Sequence, residues 1–241
     1  MILTTHQPVY LPWLGLFHKI ALADHFVSLN QVQYQVNDWN NRNKIRTSTG
    51  DIWLSVPVKH RNHLNLSYED ILIDNARPWR RKHWKSICQN YKAAPCFKKY
   101  ADYFEDCYSR DWQTLLDLNE SMLVWFLKTL GIDVPISSAR AMELQGQKSD
   151  LLLDMCVKKR ADVFIFGAQG RDYADKDSFA KAGVLPLFQS YRHPVYRQLH
   201  GEFMPNLSII DLLFNCGEDS LEILMSGNLG KADLLTSPDW R

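Results

Sequence analysis

Little in this sequence points to an oxidising compartment, a membrane or a polyanion. The five cysteines, Cys88, Cys96, Cys107, Cys156 and Cys216, are odd in number and no two form a CxxC pair. That excludes a disulfide framework and a zinc knuckle as first readings, and buried thiols in a reducing cytosol are expected instead. No stretch approaches the ~18 apolar residues of a membrane span. The opening MILTTHQPVYLPW has no basic n-region and soon meets Pro8, so a signal peptide is not expected. Neither sign of charge dominates: Lys plus Arg is 28, Asp plus Glu is 27, and the formal net charge is +1. Such a balance gives no general pull toward nucleic acid or acidic lipid, so no nucleic-acid partner is expected. Catalytic signatures are missing too. There is no GxSxG elbow and no HExxH zinc motif. Gly146-Gln147-Lys148-Ser149 resembles the end of a phosphate loop but lacks the preceding glycine at Walker spacing.

What is present is an alternation of strand and helix signals at both ends of the chain. Ile2 to Thr5 is a short β-rich run that ends at His6-Gln7-Pro8. Pro8 and Pro12 interrupt regular structure. Leu14 to Ala23 has helical apolar spacing, and Phe26 to Leu29 is a second strand. Strand, loop, helix and strand within ~30 residues make a βαβ unit with parallel strands. The pattern returns with a strand at Val134 to Ser138 and a helix at Ser149 to Lys158 capped by Ser149 or Asp150. It continues with a fully apolar strand at Val163 to Phe166, a strand at Val184 to Gln189 and a helix at Leu207 to Asn215 capped by Asn206 or Ser208.

Between these ends, residues 31–46 read as a polar loop dense in asparagine. Ile52 to Val58 is β-type and follows the turn signal Thr49-Gly50-Asp51, which predicts a hairpin. Ile71 to Ile73 is a candidate strand. Trp79 to Leu130 reads as helical, with breaks near Ala94-Pro95 and Arg110, and its Met122, Phe126 and leucine stripe belong to the core. No repeat and no linker rich in Pro, Gly or Ser divides the 241 residues. The expectation is one α/β domain over residues 1–241, Rossmann-like, with a mainly parallel sheet flanked by helices. Residues 31–130 would be an insertion of loop, hairpin and helices.

In open α/β sheets ligands bind beyond the carboxyl ends of strands. His6, Gln7, Tyr10 and Trp13 occupy such a loop, ahead of a helix N-terminus suited to an anion. His6 is a candidate acid, base or anion donor near neutral pH. Gly167-Ala168-Gln169-Gly170-Arg171-Asp172-Tyr173 follows the most buried strand. Gly167 allows a close backbone approach, Arg171 an anion contact, and Asp172 or Tyr173 a hydroxyl contact. Arg42 and Arg46 offer bidentate anion contacts from the asparagine-rich stretch. His193 and Tyr196 form a further cluster with Gln198, Phe203, Asn206 and Asp211. Lys59, His60, Arg61 and His63 read as surface. Two histidines, His6 and His193, are too few for a metal site, and none is expected.

The run HQPVYLPWLGLFHKIALADHFVSL, residues 6–29, resembles the start of the WbqC-like protein family. The run HPVYRQLHGEFMPNLSIIDLLFNCG, residues 193–217, resembles its end. The resemblance implies a biosynthetic role, because members accompany genes for surface polysaccharide, such as O-antigen, and other tailored small molecules. It also implies an arginine-bearing stretch near residues 40–46 and an acidic residue after the second strand, where this chain has Asn30-Gln31. The resulting expectation is a cytoplasmic transferase. It would move an acyl or aminoacyl group on an activated, anionic small molecule such as a nucleotide-linked amino sugar. His6 and His193 would be catalytic. Gln7, Tyr10, Trp13, Arg42, Arg46, Gly167, Arg171, Asp172, Tyr173 and Tyr196 would bind substrate. His6 is expected at a pocket mouth with Arg42 or Arg171. No cofactor is specified. Nucleotidyl transfer of the HxGH kind is disfavoured, since Pro8-Val9 stands where Gly-His would be. A non-catalytic binding or assembly protein of the same pathway is the alternative.

The cysteine reading has a direct test. Thiol titration of the denatured, unreduced protein should count five free thiols, and a count of three or fewer would contradict it.

Overall fold

The computed structural model describes residues 1–36, 38–59, 66–236 and 240. The chain opens with β1 (Ile2–His6), α1 (Leu14–Ala21) and β2 (His25–Ser28). A hairpin follows, β3 (Arg42–Thr47) and β4 (Gly50–Ser55), then three helices, α2 (Trp79–Tyr91), α3 (Phe97–Ser109) and α4 (Leu115–Leu130). β5 (Ile136–Ser138), α5 (Ser149–Lys159), β6 (Val163–Phe166), α6 (Lys176–Lys181) and β7 (Leu185–Phe188) return to alternation. The last helices are α7 (Ile209–Cys216) and α8 (Ser220–Met225). Among the described residues, no helix is long and apolar enough to cross a membrane.

Five strands form one sheet in the order β5-β2-β1-β6-β7, and every neighbour pair is parallel. The fold is α/β, as the alternation predicts. From β1 the chain adds β2 and β5 on one side, then returns to add β6 and β7 on the other. The reversal therefore falls between β1 and β6, where Leu3 aligns with Phe164 and Thr4 with Ile165. At such a switch point adjacent loops leave in opposite directions and open a crevice.

The apolar run of β6 is buried on both faces. Phe164 and Phe166 pack on one side with Met155 of α5, Phe179 of α6 and Phe188. Val163 and Ile165 pack on the other with Leu22, Leu187 and Trp240. The largest cluster joins α1, the hairpin, α2 to α4 and α7, and includes Met122 and Phe126 of the α4 stripe. α4 is delimited as its ends require: Thr114 accepts a hydrogen bond from the Asp117 N–H, and Gly131 takes the left-handed conformation at φ 72°.

Several sequence readings change. Residues 42–47 are strand rather than loop, paired from Arg42↔Ser55 to Thr47↔Gly50. Apolar periodicity misses this strand because Asn43 and Arg46 are buried polar residues. Ile71 to Ile73 forms no strand, only the isolated bridges Val58↔Ile73 and Leu72↔Thr114. Ser149 and Asp150 do not cap α5; Ser149 is already helical, and its hydroxyl accepts from the Asp175 N–H. Of the two proposed caps of α7, Ser208 serves, accepting from Ile210. α6, with Asp175 as its cap, was not foreseen. Cys107 and Cys156 are buried, whereas Cys88, Cys96 and Cys216 are half-buried; all five are free thiols. Lys59 is exposed, and His60, Arg61 and His63 lie outside the described residues.

The C-terminal motif is tied down by Asp211, which is 0 % exposed. Its carboxylate accepts from the hydroxyls of Tyr91 and Tyr196 and from the Gln198 amide, each at 2.8 Å. Asp211→Ala would strand three buried donors, so it should cost on the order of 3 kcal/mol and lower Tm by roughly 10 °C in a thermal melt. An unchanged melt would show the network to be dispensable.

Candidate functional site

A cavity of about 580 Å³ opens at the switch point. Its walls come from the end of β1 (Thr5, His6, Gln7), the first turn of α1 and the residue before it (Trp13, Gly15, Leu16), and the turn after β6 (Gly167 to Gly170). Lys19, Tyr173, Gln189 after β7, Tyr191, Asn206 and the segment Asp38 to Asn40 also line it, with Val9, Leu29 and Leu152 as apolar contributions.

The loop from His6 to Trp13 must hold its shape without much help from itself, because Pro8 and Pro12 have no N–H to donate. Its carbonyls are satisfied from outside. The Asn40 amide donates to Pro8 O and Gln7 Oε1, both at 3.1 Å. The Asn43 amide donates to Leu11 O, and the Ile209 N–H donates to Pro12 O at 2.8 Å. Tyr10 is fully buried and shares its hydroxyl with His83 Nδ1 and the Tyr108 hydroxyl, so it anchors the loop instead of facing the cavity. A bridge between Trp13 and Ser208 joins the N-terminal loop to the C-terminal motif. The two distant motifs therefore form one wall.

His6 Nδ1 lies 2.7 Å from Gln7 O. A carbonyl only accepts, so Nδ1 carries the hydrogen and Nε2 keeps its lone pair. The ring meets Trp13 edge-on at 5.2 Å. Burial, and then the charge of Lys19, bring the His6 pKa down to about 4, against the smaller opposing effect of its bond to Gln7. His6 is therefore neutral near pH 7, with Nε2 as a free base.

Lys19, which was not singled out in the sequence, is the cationic side chain of the lining among the described residues. It is 3 % exposed, and its Nζ donates to Thr5 O at 2.9 Å. Desolvation lowers its pKa to about 7. Its neighbour His18 is also buried. Gln189 donates its amide to His18 Nδ1 and Gly15 O, and His18 Nε2 donates to Leu229 O. The end of β7 is thereby fastened to α1. Gly170 is obligatory in the turn after β6, because a Cβ there would stand 2.4 Å from the Cβ of Phe166.

The expected site residues divide. His6, Gln7, Trp13, Gly167 and Tyr173 line the cavity, whereas Tyr10, Arg42, Arg46, Arg171, Asp172, His193 and Tyr196 are not among its lining residues. The Arg42 guanidinium lies over the Trp53 ring at 4.7 Å, and that of Arg171 over Phe188 at 5.1 Å. Arg46 donates to the carbonyls of His200 and Glu202, holding the segment before α7 on the hairpin. Tyr196 bonds Asp211. Asp172 is exposed. His193 donates through Nδ1 to Pro194 O and sits beside Tyr191, 6.2 Å between ring centroids; Tyr191 does line the cavity. At the end of β2, Asn30 is buried and donates to Oε1 of Glu120, which also accepts from the Ser28 hydroxyl at 2.6 Å. A carboxylate does reach that strand end, but from α4. Among the described residues no group of three or more His, Cys, Asp or Glu is placed to hold a metal ion.

The fold is a parallel α/β sheet with a polar crevice at its switch point, the place where open sheets of this class offer room for a ligand. The chain belongs to the WbqC-like protein family, which it matches over residues 7–223. It is also similar to the uncharacterized protein Rv1507c of Mycobacterium tuberculosis (strain ATCC 25618 / H37Rv). The two are 34% identical over 220 residues, 90% of this chain and 95% of that protein. No solved structure matches the chain.

The buried histidines carry a pH signature. His6, His18 and His83 are each lowered by burial from 6.5 to about 4. The unfolded chain therefore binds more protons between those values, and stability falls as pH drops from about 6.5 toward 4. Unfolding near pH 5 should take up about three protons from these groups, measured as the pH dependence of the unfolding free energy. A flat profile from pH 6.5 to 5 would contradict the burial.

Proposed function

We propose that the protein is a transferase of surface-polysaccharide or related small-molecule biosynthesis. It acts in the cytoplasm on an activated anionic substrate such as a nucleotide-linked amino sugar. The observation that carries this reading is His6 at the switch-point cavity, with Nδ1–H fixed on Gln7 O and Nε2 left as a base.

In acyl or aminoacyl transfer, the acceptor's amine adds to the acyl carbon and the bond to the carrier breaks. His6 Nε2 takes the proton that the amine loses, and the carrier leaves with the bonding electrons. A base with a pKa near 4 is fully available at neutral pH but weak. Part of its depression comes from Lys19. An anionic substrate beside Lys19 offsets that charge and raises the His6 pKa, so substrate binding itself strengthens the base. Gly167 and the turn to Gly170 bring backbone N–H groups close to a developing oxyanion. Trp13 and Tyr173 supply ring faces, and Gln7 a polar contact. The arginines and His193 have their roles, on this reading, in the wall around the cavity.

A thermal-shift screen with sugar nucleotides, acyl-CoA and aminoacyl donors identifies the substrate pair. His6→Gln should then cut turnover by roughly 10²- to 10⁴-fold with little change in Tm. In the wild type, kcat/KM should be flat from pH 7 to 5 on its acid side and fall tenfold per unit below about 4, because protonation removes the base. Ligand binding with no turnover, unaltered in His6→Gln, would instead mark a non-catalytic binding or assembly protein.

A further inference from the structure

Lys19 poses a problem of charge. It projects from the second turn of α1, and its side chain runs back toward the helix N-terminus, as helical side chains do. This brings Nζ to the carboxyl end of β1, where it meets Thr5 O at 2.9 Å. Among the described residues its hydrogen-bond partner is a backbone carbonyl, and no carboxylate pairs with it. An ammonium buried without a counter-ion is costly. A merely structural lysine at this depth would be expected beside an aspartate or glutamate. Lys19 instead lines the cavity, together with residues of the first turn of α1 and of the Gly167 to Gly170 turn.

We infer that Lys19 is the anion-binding residue of this cavity, and that a phosphate-bearing ligand supplies its missing counter-charge and brings a proton onto its amine. This rests on the transfer reading for the ligand's identity but not for the binding event. Phosphate is the group a switch point and a helix N-terminus accommodate, and a lysine serves it as a point charge.

The other titratable groups that line the cavity leave the proton to Lys19. His6 titrates near 4 and is neutral throughout the working range. Tyr173 and Tyr191 are pushed upward by burial and stay protonated. Asp38 is exposed, and its side chain accepts from the Trp39 N–H. His18, on the same helix, is turned to Gln189 and Leu229. With Lys19 near 7 in the free protein, a ligand that holds it charged must take up a proton when binding above that pH. Affinity then falls about tenfold per pH unit above 7, until the pKa of the complex is reached.

Isothermal titration calorimetry with pyrophosphate and with uridine diphosphate tests this, in two buffers of different ionisation heat. At pH 8 a phosphate ester is already fully ionised, so protons absorbed belong to the protein. The wild type should take up close to one proton per uridine diphosphate bound. Lys19→Gln, which keeps a donor for Thr5 O without a charge, should take up none and bind at least ~10-fold more weakly at pH 6.5. Lys19→Met serves if that variant fails to fold, and the wild-type proton count stands without either. No binding of either probe, or binding with the same affinity and proton count in the variants, overturns the inference. The transfer reading is judged separately: His6-dependent turnover with no proton linkage sinks only the role of Lys19, and linkage without turnover sinks only the transferase.

Discussion

The architecture around the cavity depends on a hydrogen-bonding debt. A loop with prolines at two of its positions cannot satisfy its own carbonyls, and a buried unsatisfied carbonyl costs as much as a lost hydrogen bond. The debt of the loop after β1 is met by Asn40, by Asn43 and by the first N–H of α7. The donors come from two distant parts of the chain, the start of the hairpin and the start of α7. The loop, the hairpin and the C-terminal helix are consequently one unit, and the 580 Å³ cavity is a property of that unit, not of the sheet alone. Asn119 extends the arrangement by donating to Asn40 O and thereby reaching into α4.

The same logic divides the polar residues of the chain into two kinds. Asn43, Arg46, Tyr91 and Asp211 are buried and spend their hydrogen bonds on other parts of the fold. Lys19 is as dry and His6 half-buried, yet each keeps unfinished capacity: a lone pair on His6, a charge without a counter-ion on Lys19. Both front the one crevice that the strand order creates. On the proposed function, that difference separates a wall from a site.

How much was legible beforehand follows from where polarity sits. The alternation of β1, α1 and β2 and of β5 to β7 was readable, since their apolar runs are what builds the sheet. The Gly167 turn was readable for the same reason, as glycines directly after the driest strand. β3 was hidden, because RNKIRT has Ile45 as its one apolar residue and buries the polar Asn43 and Arg46 beside it, so it shows no period of two. Lys19 was hidden by the opposite circumstance. α1 is buried from Leu14 to Ile20, so it has no wet face against which a lysine would look out of place. The arginines attracted attention by their chemistry, but a guanidinium can stack on a ring or tie down carbonyls as readily as it holds a substrate, and sequence does not distinguish these uses.

The central position of β1 has a consequence for biogenesis. One neighbour, β2, is made within seconds, but the other pairs Thr4 with Ile165, 161 residues later. At ribosomal speed that interval is on the order of 10 s. Throughout it the first strand presents an open edge, and the proline loop has carbonyls awaiting an α7 that is synthesised later still. The nascent chain thus keeps an unpaired strand edge until β6 and α7 have emerged. Protease resistance of the sheet is therefore expected only after β6 and α7 have been made.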